Sequence, residues 1–167
     1  SAGDRGSRVH NAIQDLLTGK EIELLDKYWS ELDKNFAPLS PEEWDALIGF
    51  VNFWNDKKPT LLASEKVCYS EKHGYAGTAD ALLKIDGKVV LVDFKTSSKI
   101  YITYPLQVAA YFAAFAEKKF NIDQTAILRI GTNHRVKYEW KVFDGPEVLG
   151  HFAQFLAVKG VWVIENG

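Results

Sequence analysis

The stretch GTADALLKIDGKVVLVDFKTSS, residues 77–98, decides the fold. Asp86-Gly87 is a dipeptide suited to a two-residue hairpin turn, so the stretch reads as strands at about 77–85 and 88–96. Both strands are dominated by Ala, Leu and Val, yet they carry Asp80, Asp93 and Lys95. A tight turn at Asp86-Gly87 places Asp80 directly opposite Asp93, with Cβ atoms roughly 5 Å apart. Lys95, two residues beyond Asp93, projects from the same face. Facing like charges destabilise a sheet, so two acids among apolar neighbours need compensation. One solution is a divalent cation held by both carboxylates with the lysine beside it. The other is a buried Asp–Lys salt bridge with the second acid turned to solvent. A single lysine does not comfortably neutralise two facing acids, which favours the cation. Mg²⁺ takes one or two carboxylates, waters and phosphate oxygens. Two acids and an ammonium therefore suit metal-assisted phosphodiester hydrolysis.

Outward from this hairpin, GSRVHNAIQDLLT at 6–18 has apolar residues at helical spacing and ends at Gly19. Ile22, Leu25, Tyr28, Trp29 and Leu32 predict a second helix over 21–35. Ser40, Pro41 and Glu43 form a capping box that opens a third helix over 41–57. SEKVCYS at 64–70 is a short strand. Residues 105–119 form an apolar helix, 124–130 a buried strand and 135–143 an alternating one, in which Trp140 belongs to the core. Pro146 starts a last helix to about Lys159. The expected fold class is α/β, one domain over 1–167, with a mixed central β-sheet flanked by helices.

The 167 residues are 47% apolar and 25% charged, ordinary for a globular domain with a substantial core. No apolar run reaches the roughly 18 residues a membrane span needs, and SAGDRGSRVHNA has no signal-peptide h-region. The single cysteine, Cys68, excludes an internal disulfide and a cysteine-rich cluster. These features fit a reducing compartment and imply a cytoplasmic protein without a membrane partner. A net charge of -2 gives no bulk attraction to nucleic acid. A local basic groove from Arg5, Arg8, Lys95 and Lys99 remains compatible with it.

Asp80 followed across the turn by Asp93-Phe94-Lys95 resembles the D…(D/E)xK signature of the PD-(D/E)XK nuclease superfamily. Three more elements point to its RecB-like and phage-type exonuclease branch. GYAGTAD resembles the G-x-x-D form of the first acid, and DFKTS the second motif. QVAAY resembles the Q-x-x-x-Y helix element, and GSRVHNAI the G-x-x-x-H helix. The resemblance covers residues 6 to about 111 in the family's order. It implies a restriction-endonuclease-like core and a Mg²⁺- or Mn²⁺-dependent deoxyribonuclease. The expected role is exonucleolytic, in phage or bacterial recombination or DNA repair, with DNA as partner. Carried over by residue, it implies His10, Asp80, Asp93 and the Phe94 carbonyl as metal ligands. Lys95 is then the catalytic lysine, acting with Asp80 and Asp93, and Gln107 and Tyr111 position it or contact the DNA backbone. A sequence-specific endonuclease and a non-catalytic nuclease-like DNA-binding module are the alternatives. Glu65 is a further candidate carboxylate, and Tyr101 and Tyr104 are candidates for base stacking. His73 and His134 are read as loop histidines.

Overall fold

The computed structural model describes residues 2–131 and 135–166, with side chains placed for 7–131 and 135–160; His134 lies outside the described residues. The elements are α1 (Ala2–Leu17), β1 (Lys27–Ser30), β2 (Asn35–Pro38), α2 (Pro41–Lys57), β3 (Thr60–Ser70) and β4 (Tyr75–Ile85). They continue with β5 (Lys88–Lys95), α3 (Thr103–Glu117), β6 (Gln124–Ile130), β7 (Tyr138–Asp144) and α4 (Gly145–Asn166). Among the described residues the main sheet has the order β3-β4-β5-β6-β7. All its pairings are antiparallel except β5 with β6, which are parallel and joined through α3. The result is an α/β domain with a mixed five-stranded sheet flanked by helices, consistent with a restriction-endonuclease-like core. No helix of the described residues is long and apolar enough to cross a membrane.

Period-2 alternation within the strands sends side chains into two cores. On one face Val90, Val92 and Phe94 of β5 pack with Val9 and Ile13 of α1 and Phe50 and Phe53 of α2. On the other, Leu82, Leu91 and Ile127 pack with Val108, Ala109 and Phe115 of α3 and Val148 of α4. Trp140 packs against the first cluster, 4.7 Å between ring centroids from Phe53. The α2 capping box is present as expected: Ser40 Oγ accepts from the Glu43 amide and the Glu43 carboxylate accepts from the Ser40 amide.

The segment 21–35 is not a helix. It forms half of a two-stranded antiparallel hairpin, with Lys27 opposite Pro38 and Ser30 opposite Asn35. The spacing of Tyr28 and Trp29 fits a helical stripe, but Tyr28 and Ser30 are buried while Lys27 is exposed, which is strand alternation. Lys34 adopts φ 54 and the Lys34 amide donates to the Ser30 carbonyl, closing the turn. A helix through this segment would have no N-cap side chain, and Pro38 bars its continuation.

The decisive hairpin has the expected register. Ala81 pairs with Val92, and each further pair down to Ile85 with Lys88 keeps the same frame. Asp86 and Gly87 lie at φ 49 and 79, as a type I′ turn requires. One feature of β4 departs from a regular strand. Ala79 belongs to the α3-side core, whereas Ala81, of the same parity, belongs to the α1-side core. The break falls at Asp80. On β3 the ladder pairs Ser64 with Ala81 and Lys66 with Ala79, passing over Glu65, which lies at φ 48. The register is the same on both sides of this step, so β4 changes face locally at Asp80 without an inserted residue; the bulge of this ladder lies further along, between Leu61 and Ala63.

Candidate active site

Asp80, Asp93 and Lys95 meet where the β4–β5 ladder stops. The last pair of that ladder is Ala81 with Val92, so the β4-facing backbone beyond it is free to serve side chains. The Asp80 carboxylate uses it: Oδ2 accepts from the Phe94 amide at 2.7 Å. The same oxygen lies 3.2 Å from Nε2 of His10, which α1 delivers from 70 residues upstream. Gln14, one turn further along α1, donates to the Asp80 main-chain carbonyl at 3.4 Å. Gln14 was not anticipated from the sequence, although its i+4 spacing from His10 places both on one helix face.

Asp93 lies on the other side of the pair and is 5% exposed. Its Oδ2 is 2.8 Å from Nζ of Lys95 but receives no well-aligned hydrogen bond. Lys95 then donates to Oε1 of Gln107 at 3.0 Å, and Nε2 of Gln107 donates to the Tyr111 hydroxyl at 2.8 Å. The Q-x-x-x-Y spacing on α3 thus brings both side chains onto one chain of hydrogen bonds that ends on the lysine. The Tyr104 ring lies 4.6 Å from the Lys95 ammonium, a cation–π contact that holds the lysine from a third side. Tyr101 stays outward, 41% exposed, with Lys99 over its ring.

The electrostatics follow from this packing. Burial, and next the Asp80 charge, push the Asp93 carboxyl up to about 7. Burial would also raise Asp80, but His10 and the Phe94 amide outweigh it and hold Asp80 below the usual carboxylate range. Burial pulls Lys95 down, yet the adjacent Asp93 carboxylate prevails and keeps the ammonium above its ordinary value. The acid pair therefore retains a proton near neutrality in the absence of a cation. Two carboxylates that cannot both ionise cheaply form a site where a divalent cation is welcome.

The residues fit such an ion in part. The 3.2 Å between His10 Nε2 and Asp80 Oδ2 suits an N–H donor. It is also close to the edge, about 3 Å, of an octahedron with ligands at the Mg²⁺ distance. The buried Asp93 Oδ2, 2.8 Å from the lysine and without an aligned hydrogen bond, is a further available oxygen. Among the described residues, no three His, Cys, Asp or Glu side chains are grouped tightly enough to hold an ion by themselves. Mg²⁺ rarely demands that, because waters and substrate phosphate complete its sphere.

Other candidates fall elsewhere. Glu65 is exposed on β3, in the irregular step opposite Asp80. Arg8 does not line a basic groove: it is 8% exposed and donates to Asp33 and Asn35 at 3.0 and 2.9 Å. The Arg5 side chain lies outside the described residues. His73 sits in the β3–β4 turn, with its ring 5.5 Å from Phe152.

No family model and no curated protein matches this chain. Among solved structures, it is similar to an alkaline exonuclease, LHK-Exo, from Laribacter hongkongensis. The TM-score is 0.48 and the identity 11%, over 99% of this chain and 84% of that one. The same values hold for LHK-Exo in complex with dAMP.

Proposed function

We propose that the chain is a divalent-cation-dependent nuclease that hydrolyses phosphodiester bonds of DNA. The observation that carries this reading is the position of Lys95. Its ammonium is fixed between Asp93 at 2.8 Å and Gln107 at 3.0 Å, on the edge of a facing acid pair. A lysine held charged at such an edge orients a water for attack and stabilises the extra negative charge of a pentacovalent phosphate. His10, Asp80, Asp93 and the Phe94 carbonyl would hold Mg²⁺ or Mn²⁺. When bound, the ion supplies Lewis-acid polarisation of the phosphate and lowers the pKa of its water. Asp80, fixed by the Phe94 amide, keeps its charge and its direction. Gln107 and Tyr111 keep Lys95 from swinging into solvent.

Within this reading the mode is exonucleolytic, in recombination or repair of phage or bacterial type, as the G-x-x-D, D-F-K and Q-x-x-x-Y elements together suggest. End-labelled single- and double-stranded DNA with Mg²⁺ tests the chemistry. Lys95→Ala is expected to lower cleavage by on the order of a hundredfold or more. Equal cleavage by wild type and variant would remove the catalytic assignment. Closed circular DNA in parallel tests the mode, since an exonuclease leaves it intact and a sequence-specific endonuclease cuts it.

A further inference from the structure

Gly77 lies in β4, three residues before Asp80, and pairs with Cys68 of β3. It differs from the glycines at the β3–β4 and β4–β5 turns. Gly74 and Gly87 adopt φ 70 and 79, and a side chain there would meet nothing. Those positions need glycine for its backbone freedom. Gly77 has no such φ, so an L-residue would fit its backbone. What it lacks is room. A Cβ at Gly77 would stand 2.7 Å from Cζ and 3.0 Å from Cδ1 of Tyr111, and closer still to Cε1. Glycine in a strand interior marks such an approach by another group.

The group that approaches is the last member of the chain leading to Lys95. Tyr111 receives the Gln107 amide on its hydroxyl, and Gln107 receives the lysine. The Tyr111 ring packs against the α3-side core, whose buried members include Cys68 and Ala79 on either side of Gly77. The ring is half-buried and on its other side borders an open groove with Leu106, Ala110 and Phe155, so a group added at 77 has a direction in which to push it. A methyl group at 77 therefore moves the ring, the ring moves its hydroxyl, and Gln107 loses the partner that fixes its amide.

We propose that Gly77 is a positioning residue: its missing side chain seats Tyr111, and through Tyr111 and Gln107 it fixes the Lys95 ammonium. The effect on catalysis rests on Lys95 being the catalytic lysine, whereas the steric coupling of Gly77 to Tyr111 does not.

A double-mutant cycle separates the two. Gly77→Ala, Tyr111→Ala and the double variant are compared by thermal unfolding in EDTA and by steady-state cleavage of end-labelled DNA with Mg²⁺. Gly77→Ala alone is expected to lower Tm by about 5 °C or more. It is also expected to lower kcat about tenfold or more with KM within about twofold, as for a misplaced catalytic group. In the Tyr111→Ala background, which opens the space, Gly77→Ala is expected to change Tm and kcat by little, the non-additivity of contacting residues. Equal losses in both backgrounds would overturn the proposal, as would a single variant indistinguishable from wild type. If Gly77→Ala does not fold, a double variant that melts with Tyr111→Ala supports the steric coupling, and one that also fails to fold overturns it. A wild type without cleavage but with the expected Tm cycle would sink the nuclease reading and leave the coupling standing.

Discussion

Asp80 accepts the main-chain amide of Phe94, the residue next to the acid it faces. The bond spans the hairpin where the regular ladder ends at Ala81 and Val92. Thus the first acid is fixed by the backbone that carries the second. Asp80 is thereby pre-oriented, and the cost of bringing two acids together falls on Asp93. The division of roles is visible in the opposite directions of their proton affinities.

That division predicts an unusual pH dependence of stability. Asp93 is raised to about 7 from an unfolded value of 3.8. The folded state therefore binds more protons than the unfolded state between these limits, so stability falls as pH rises through that window. Without divalent cations, the protein is expected to be less stable at pH 8 than at pH 5 by on the order of 2 kcal/mol, a few degrees in Tm. Mg²⁺ or Mn²⁺ should restore Tm at pH 8 and do little at pH 5, where the pair holds its proton. Thermal unfolding in EDTA and in excess cation at four pH values checks this, and a Tm rising with pH in EDTA would contradict it.

Gln107 is expected to act on rate more than on fold. It is partly exposed and links Lys95 to Tyr111. Gln107→Leu keeps the shape but removes both hydrogen bonds, at about 1 kcal/mol of stability. Cleavage should fall about ten- to a hundredfold, because the ammonium is no longer fixed. Parallel melting and kinetics decide; a loss of activity matched by global unfolding would point to a purely structural role.

How far the sequence carried the fold depends on where each signal is local. The hairpin register followed from Asp86-Gly87, because a two-residue turn leaves no freedom in which residues face each other. The capping box placed the start of α2 at Pro41, because its signals lie within four positions. The segment 21–35 departs from its helical pattern because Ile22, Leu25, Tyr28 and Leu32 satisfy a helical period while the pairing of 27–30 with 35–38 favours strand. The contact of His10 with Asp80 was expected only through resemblance, since nothing local couples residues 70 apart. The break of parity at Asp80 and Glu65 was not legible either. Alternation alone predicts Asp80 and Asp93 on one face, and only the packing of Ala79 and Ala81 into opposite cores reveals the kink.

The start of α2 offers a control away from the site. Ser40→Ala removes one half of the capping box and should cost about 1 kcal/mol, or roughly 2–4 °C in Tm. Cleavage at 25 °C should stay within about twofold of wild type. A larger kinetic effect would mean that α2, which packs behind Phe94 through Phe50, transmits its order to the acid pair.

Arg8 distinguishes a structural cation from a DNA-contacting one. It lies two residues before His10 on α1 and joins Asp33 and Asn35 near the hairpin turn to Glu43 of α2, whose Oε2 is 3.9 Å away. Glu43 is 4% exposed, so Arg8→Ala leaves a buried carboxylate without its cation. Removing one partner of a buried pair costs about 3–5 kcal/mol, and the exposure of Asp33 places this case at the lower end. Arg8→Ala should melt roughly 6–12 °C below wild type. Below its melting range, its DNA affinity should show an unchanged dependence on salt, because no phosphate contact has been lost. A slope of log K against log [salt] reduced by about 0.9 would instead place the guanidinium on a phosphate. That outcome would require Arg8 to leave Asp33 and Glu43 when DNA binds, and the wild-type Tm gain on adding DNA would then be smaller than its affinity predicts.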